Sequence, residues 1–397
     1  MAVAAPSMAT GQSPRRPRVA MVAGEASGDL LASLLLDAMR LRWPDMVAQG
    51  IGGPQMAARG FDAWWPSEKL AVRGYVEVLR HYRAITAIRR ELAHRLGTAR
   101  PDLFIGVDAP DFNLDLEIML RKKGVRTAHF ISPSIWAWRG ERMEKIRQAC
   151  EEMLCVFPFE EKLYRDAGIS ATYVGHPLAD VIAEVQDRAS ARARLGLADD
   201  SQVVALLPGS RQSELAYLAE RFVRTAMLLA EARPAIRFVT PLASDETAAL
   251  WTAALARNGA ERLPVVLLPR DAHGALAACD VALVASGTAT LEAALFKRPM
   301  VIAYNMAWGS WQMMRRMKYQ AYVGLPNILC GEFVVPEFLQ EDATPENLAQ
   351  AIGNLLSDET TCGRIVRRFS KLHGELRQDM ATRAAEAIAR RFFATAG

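Results

Sequence analysis

Short apolar runs, each closed by a small-residue turn and followed by helical spacing, recur along this chain and restrict it to a layered α/β fold. Val19–Ala23 is the first. It enters the turn Gly24-Glu25-Ala26-Ser27-Gly28-Asp29, after which apolar residues fall at helical spacing from Leu30 through Leu34 to Leu41. A run too short for a helix and bounded by turn residues reads as a buried strand. Strand, turn and helix in that order open a doubly wound unit. Leu103–Val107, Val125–Ile131 and Met153–Phe157 supply further strands, with helical pattern between them, notably Leu114–Lys123. A break rich in Asp, Arg and Ala follows, and then the pattern restarts. Val203–Leu207 leads into Pro208-Gly209-Ser210-Arg211 and an amphipathic helix over Glu214–Ala230. Arg237–Thr240, Val265–Leu268, Val281–Val284 and Met300–Ala303 read as strands, and Pro345–Phe393 as successive helices.

The 397 residues exceed one ordinary core. The expected division is a disordered extension over 1–17, a Rossmann-like domain over 18–180, a linker over 181–200 and a second Rossmann-like domain over 201–370. A C-terminal helix over 371–397 then packs back on the first domain or on a second subunit, the latter giving a homodimer. Two such domains facing one another leave a cleft, the expected place for chemistry.

Composition narrows the class. The chain is 51% hydrophobic and 23% charged, and no stretch offers the roughly 18 consecutive apolar residues of a membrane span. The first residues lack the apolar segment of a secretory signal. Five cysteines, Cys150, Cys155, Cys279, Cys330 and Cys362, are scattered, with no Cys-x-x-Cys and no zinc spacing. This predicts free thiols in a reducing cytoplasm and no metal site. A net charge of +4 is too small to imply nucleic acid.

Four places carry candidate chemistry. Asp108 closes the run Leu103–Val107 and opens the turn Asp108-Ala109-Pro110-Asp111-Phe112-Asn113. Ligands of open α/β sheets bind beyond the carboxyl ends of the strands, so a carboxylate there can take a proton from one. A plain helix cap is the alternative, and Asp111 is the reserve base. The turn Gly24–Asp29 lets backbone amides approach an anion at a helix start. Gly209, Ser210 and Arg211 form a second such turn, with a guanidinium that can fork onto phosphate or pair with Glu214. Ser286, Gly287, Thr288 and Ala289 form a third, with Glu292 one turn inside the helix, in reach of ribose hydroxyls. Two phosphate-compatible turns in one domain point to a nucleotide diphosphate. No P-loop or complete dinucleotide fingerprint is present, which disfavours ATP hydrolysis and nicotinamide chemistry. His129 and His176 follow apolar runs; a hydrogen-bonded core or hinge role is preferred for both.

The motifs Val22–Asp29, Val107–Asn113, Ser132-Pro133-Ser134-Ile135-Trp136-Ala137-Trp138-Arg139, Leu207–Arg211, Ser286–Ala289 and Leu325-Pro326-Asn327 together resemble the lipid-A-disaccharide synthase family, in the right order from about Val19 to the C-terminus. That resemblance implies a GT-B glycosyltransferase: two Rossmann-like domains around a cleft, a helical C-terminus, and no cofactor or required metal. It implies an acylated sugar nucleotide, UDP-2,3-diacylglucosamine, as donor and an acylated sugar phosphate, 2,3-diacylglucosamine 1-phosphate, as acceptor. The product is a β-1,6-linked disaccharide 1-phosphate, with release of UDP. On the same basis Asp108, Arg211 and Asn327 carry catalysis. The nucleotide falls to Gly209–Arg211, Ser286–Ala289 and Glu292, and the acceptor to Gly24, Ser27, Gly28 and Asp29. The N-terminal extension and Arg73 depart from the family pattern.

Acylated substrates imply contact with an anionic membrane surface, on the cytoplasmic face of the inner membrane. Two stretches combine apolar groups with cations. One carries Leu79, Tyr82, Ile85, Ile88, Leu92 and Leu96 with Arg80, Arg83, Arg89, Arg90 and Arg95. The other, Trp308–Tyr322, carries Trp308, Trp311, Met313, Met314, Met317 and Tyr319 with Arg315, Arg316 and Lys318. Helical apolar spacing equally suits a core. A UDP-sugar epimerase on a similar scaffold and a non-catalytic UDP-sugar or lipid binder are the competing functions.

Overall fold

The structure, a computed structural model, describes residues 16–67, 75–135, 142–306, 311–312 and 321–394. The expected disordered extension falls almost wholly outside the described residues, as do Arg73, Trp136, Trp138, Arg139 and most of the stretch from Trp308 to Tyr319.

Among the described residues the first half forms strands β1 (Arg18–Ala23), β2 (Val47–Gly52), β3 (Asp62–Pro66), β4 (Leu103–Val107), β5 (Thr127–Phe130), β6 (Glu152–Cys155) and β7 (Ala171–Tyr173). They pair in parallel in the order β3-β2-β1-β4-β5-β6-β7. The second half forms β8 (Val203–Leu207), β9 (Arg237–Leu242), β10 (Val265–Pro269), β11 (Val281–Ala285), β12 (Met300–Tyr304) and β13 (Glu337–Leu339), also parallel, in the order β10-β9-β8-β11-β12-β13.

Why β1 and β4 read as continuous apolar runs follows from their neighbours. Parallel strands are covered on both faces, and successive side chains alternate between them. Val19, Met21 and Ala23 enter one core cluster together with Leu103, Ile105 and Val107. Helix α1 (Ala26–Arg42) adds Leu35, Leu36 and Met39 to that face. Ala20, Val22 and Phe104 enter the opposite cluster. There they meet Leu92 and Leu96 of α3 (Tyr75–Ala99) and Leu116 and Leu120 of α4 (Pro110–Arg121), while α2 (Pro54–Ala57) is a single turn after β2. Ile85 and Ile88 pack against the same cluster. The described apolar stripe of α3 is therefore core, and this corrects its assignment to a membrane face.

The chain passes between the domains twice. The first passage is the short helix Pro177–Val181. The segment expected as a free linker is instead folded into the second domain: Ile182, Ala191 and Leu197 belong to its core. Arg192, 1% exposed, bonds the Ala278 carbonyl and the Asp280 carboxylate. The return comes later than residue 371. Phe369, Leu372 and Leu376 still pack in the second domain, whereas Met380, Ala384, Ile388 and Phe392 fill the first-domain core against α1. The C-terminal helix thus docks on its own chain. The two passages are joined, since the Asp180 carboxylate accepts the amides of Gln378, Asp379 and Met380 at 3.1, 3.0 and 2.8 Å.

His176 sits at this junction, stacked on Phe157, with Nδ1 accepting the Leu178 N–H at 3.2 Å. Burial pushes its pKa down from 6.5 to about 4. The unfolded chain takes up this proton first, so the contribution to stability is lost as pH falls from about 6.5 toward 4, amounting to roughly 2 kcal/mol at pH 4.5. His176→Gln should therefore lose less stability between pH 7 and pH 4.5 than wild type, by about that amount. Urea melts at the two pH values would show it; an equal loss would remove His176 from the acid limb.

Candidate active site in the interdomain cleft

Each sheet reverses its strand order once, between β1 and β4 and between β8 and β11. The register brings Ala23 beside Val107 and Leu207 beside Val284. The turns that leave those strand ends are Gly24–Asp29, Asp108–Asn113, Pro208–Arg211 and Ser286–Ala289. The four turns chosen from sequence are the four at the switch points, where open α/β sheets bind ligands.

Asp108 has φ 51° and Ala109 φ 44°, two successive left-handed residues with side chains. Each such residue costs about 1–2 kcal/mol. Hydrogen bonds hold the turn in place. The Asp108 N–H donates to the Phe130 carbonyl at 2.9 Å, extending the β4–β5 pairing. Asn113 Nδ2 donates to the Asp108 carbonyl at 2.8 Å. The amides of Phe112 and Asn113 both reach the Ala109 carbonyl at 3.0 Å. Asp108 is half-buried, and α4 has no side-chain cap, so Asp108 does not act as the helix cap. Asp111 is different: its side chain is 82% exposed and pairs with Arg142 at 2.8 Å. That pairing weakens its claim as the reserve base.

The first turn is only partly what the sequence suggested. A Cβ on Gly28 would meet Ala23 and the Val107 carbonyl at ordinary contact distance, so Gly28 lies directly beside the end of β4 without needing to be glycine. Gly24 is buried and Ser27 exposed, at the uncapped start of α1. Asp29, however, is 2% exposed. Its carboxylate accepts the amides of Gly53, Gln55 and Met56 at 2.9, 2.9 and 3.1 Å. It holds α2 to α1 and is buried away from the cleft surface, which corrects its assignment to acceptor binding.

In the second domain a cavity of about 1050 Å³ opens at the switch point. Gly209–Arg211, Ser286–Ala289 and Glu292 all line it, and Ser134, which follows β5, closes it from the first domain. Asp108, Gly24, Ser27, Gly28, Asp29 and Asn327 do not line this cavity. The helix Thr288–Leu295 starts without a side-chain cap at Gly287, whose φ of 144° suits glycine. The first-turn amides of a helix lack intrahelical partners and attract anions, so this end suits a diphosphate. The turn at Gly209 works differently. Glu214 Oε2 already accepts the amides of Ser210 and Arg211 at 2.9 and 3.2 Å. Its usable cation is the Arg211 guanidinium, 80% exposed and 3.6 Å from the Glu214 carboxylate. Glu292 has His273 at 3.6 Å, and that carboxylate raises the His273 pKa above its ordinary value.

Asn327 is also corrected. It is fully buried; Nδ2 donates to the Val335 carbonyl and to Glu337 Oε1, both at 2.8 Å, and Oδ1 accepts the amides of Val334 and Val335 at 2.8 and 3.0 Å. Glu337 in turn accepts the amides of Val323 and Gly324 at 2.8 and 2.9 Å. With its amide saturated, Asn327 cannot touch a reacting atom. It fixes the loop carrying Val323, which lines the cavity. Sequence reasoning also missed Tyr304, Asn305 and Tyr217 on the cavity wall. Tyr304 ends β12, so the strand-end rule applied to that strand would have found it.

Two doubly wound domains with a cavity at the switch point of the second define the GT-B fold. Solved structures share the fold. The UDP-GlcNAc 2-epimerase from Neisseria meningitidis bound to UDP-GlcNAc superposes with a TM-score of 0.65 at 11% identity, covering 94% of this chain and 100% of that one. The Anabaena protein HepE in complex with UDP and glucose gives 0.57 at 15% identity, with coverage of 94% and 100%. The sequence is more specific. The family description Lipid-A-disaccharide synthetase matches residues 19–392. The lipid-A-disaccharide synthase of Aromatoleum aromaticum is 57% identical over 371 residues, covering 94% of this chain and 95% of its own. That of Albidiferax ferrireducens is 57% identical over 376 residues, with coverage of 94% and 96%. The chain belongs to the lipid-A-disaccharide synthase family.

Asn327→Ala would take the partner from the Val334 and Val335 amides and the Val335 carbonyl and one donor from Glu337, so it should lower stability by about 2–4 kcal/mol, with turnover falling alongside. Denaturant melts test this. Wild-type stability with lost turnover would return Asn327 to the chemistry.

Proposed function

We propose that the chain transfers the 2,3-diacylglucosamine unit of UDP-2,3-diacylglucosamine to the 6-hydroxyl of 2,3-diacylglucosamine 1-phosphate. The products are the β-1,6-linked disaccharide 1-phosphate of lipid A and UDP. The observation that carries the reading is family membership over residues 19–392. The geometry supplies roles. An α-linked donor giving a β-linked product requires one inverting displacement. The acceptor hydroxyl is a poor nucleophile until its proton is removed, and a positioned carboxylate contributes roughly 10²–10⁴ in rate. Asp108, at the switch point of the first domain, is that base. The leaving UDP gains negative charge as the anomeric bond breaks. Arg211 and the amides at Gly287–Ala289 stabilise it electrostatically, so this scheme needs no metal. Glu292, on the cavity wall with His273 beside it, accepts the ribose hydroxyls in this scheme. Ser27 and the amides at the start of α1 receive the acceptor phosphate.

Asp108→Asn should remove most turnover and leave UDP affinity within about twofold, whereas Arg211→Ala should weaken both UDP binding and turnover. Thin-layer separation of the tetra-acylated disaccharide from its two precursors, with calorimetry for UDP, reads both. Donor alone should stay unchanged; its conversion without acceptor would favour an epimerase. Wild-type turnover in Asp108→Asn would take the base role from it.

We also place the enzyme on an anionic membrane surface, on the cytoplasmic side. Among the described residues no helix is long and apolar enough to cross a membrane. Arg83, Arg90 and Arg95 are exposed along α3, and the cationic, aromatic residues 308–319 lie close in sequence to Val323 on the cavity wall. Flotation with phosphatidylglycerol vesicles should carry the protein at low salt and release it at high salt, because surface attraction is screened. No flotation at low salt would end this part of the reading.

A further inference from the structure

Beneath the end of β4 lies a set of polar groups that the proposed chemistry does not use. Glu117 of α4 and His129 of β5 are both fully buried, with Oε1 and Nδ1 2.7 Å apart. Asn113, one turn before Glu117 on the same helix face, is also fully buried. Its Nδ2 donates to the carbonyl of Asp108 at 2.8 Å and lies 3.3 Å from those of Val107 and Val22. We propose that Glu117 and His129 are positioning residues, a buried pair that fixes the two elements holding the left-handed Asp108 turn. The proposal rests on the reading of Asp108 as the base.

The linkage closes on itself. Asp108 is tied to α4 through Asn113 and to β5 through the carbonyl of Phe130, the residue after His129. Glu117 and His129 join α4 to β5 directly. A shift of α4 along β5 would therefore move the two anchors of Asp108 in different directions, and the pair opposes that shift. The strand is cut to fit: a Cβ on Gly106 would stand 2.2 Å from Glu117 Oε1 and 2.9 Å from Asn113 Cβ. Stability alone does not account for the cluster. Among the described residues Glu117 Oε2, His129 Nε2 and Asn113 Oδ1 are buried with no protein group as hydrogen-bond partner, and well-packed apolar replacements of a buried ionisable pair are often neutral or stabilising. A core that keeps a buried ionisable pair directly under a left-handed turn fits the pattern of local rules broken for function.

The test is the double variant Glu117→Leu/His129→Leu, measured beside Asp108→Asn. If the pair positions the base, the double variant keeps its melting temperature and binds UDP within about twofold of wild type, while kcat falls at least tenfold, as small misplacements of reacting groups do. Glu117→Gln, which keeps an acceptor for the His129 N–H, should recover most of that loss. Glu117→Met/His129→Met, whose flexible side chains adapt to the space and leave Asn113 untouched, should show the same split, so it carries the test if the leucine pair does not fold. A kcat within twofold of wild type, or a kcat loss matched by equal loss of UDP affinity, overturns the proposal. If Asp108→Asn is inactive while the pair variants turn over normally, the positioning role falls and the base stands. If Asp108→Asn is active, both fall.

Discussion

The reversal of strand order at β1/β4 and again at β8/β11 is the constraint on which the site depends. At each reversal the helices that follow neighbouring strands leave toward opposite faces of the sheet, and a crevice opens between their first turns. Register then decides what meets there. Ala23 pairs with Val107 and Leu207 with Val284, so in each domain two turns end at the same level. One pair offers a carboxylate and a small-residue helix start; the other offers a guanidinium and the uncapped helix start at Gly287. The chemistry of transfer needs both kinds, a base for the incoming hydroxyl and positive charge for the departing diphosphate. The fold presents them from different domains.

Holding those two sets in relation falls to the double passage between domains. His176 and Leu376 are joined backbone to backbone at 2.9 Å, and Asp180 caps the three amides that begin the return. The C-terminal helix then completes the first-domain core, so the first domain cannot finish folding until the second has been made. This binds the stability of the first domain to the integrity of the second.

Much of this was legible in the sequence, for a physical reason. Central parallel strands are buried on both faces, so Val19–Ala23, Leu103–Val107, Val203–Leu207 and Val281–Val284 read as unbroken apolar runs, and the turns after them fell at the switch points. Strands β2, β3, β7 and β13 were not seen. They lie away from the centre or at an edge, and residues such as Gly50, Gly52, Trp64 and Glu337 give them no clear period. The linker was misread because Arg192 looks solvated in a charged stretch, yet its guanidinium is satisfied inside the second domain. Asp29 and Asn327 were misassigned for a related reason: a polar side chain saturated by backbone amides looks in sequence the same as one free to meet a ligand. Glu214 was seen only as a salt-bridge partner, whereas it occupies the amides that a phosphate would need.

The proposed transfer requires Asp108 and the Arg211/Gly287–Ala289 surface to act on one sugar from opposite sides of the cleft. A crystal structure with UDP and an acceptor analogue bound tests it most directly. The account predicts the diphosphate on the amides of Gly287–Ala289 with Arg211 beside it, and the Asp108 carboxylate about 2.6–3.2 Å from the acceptor 6-hydroxyl. A diphosphate bound elsewhere, or an acceptor hydroxyl out of reach of Asp108 in the closed complex, would contradict it.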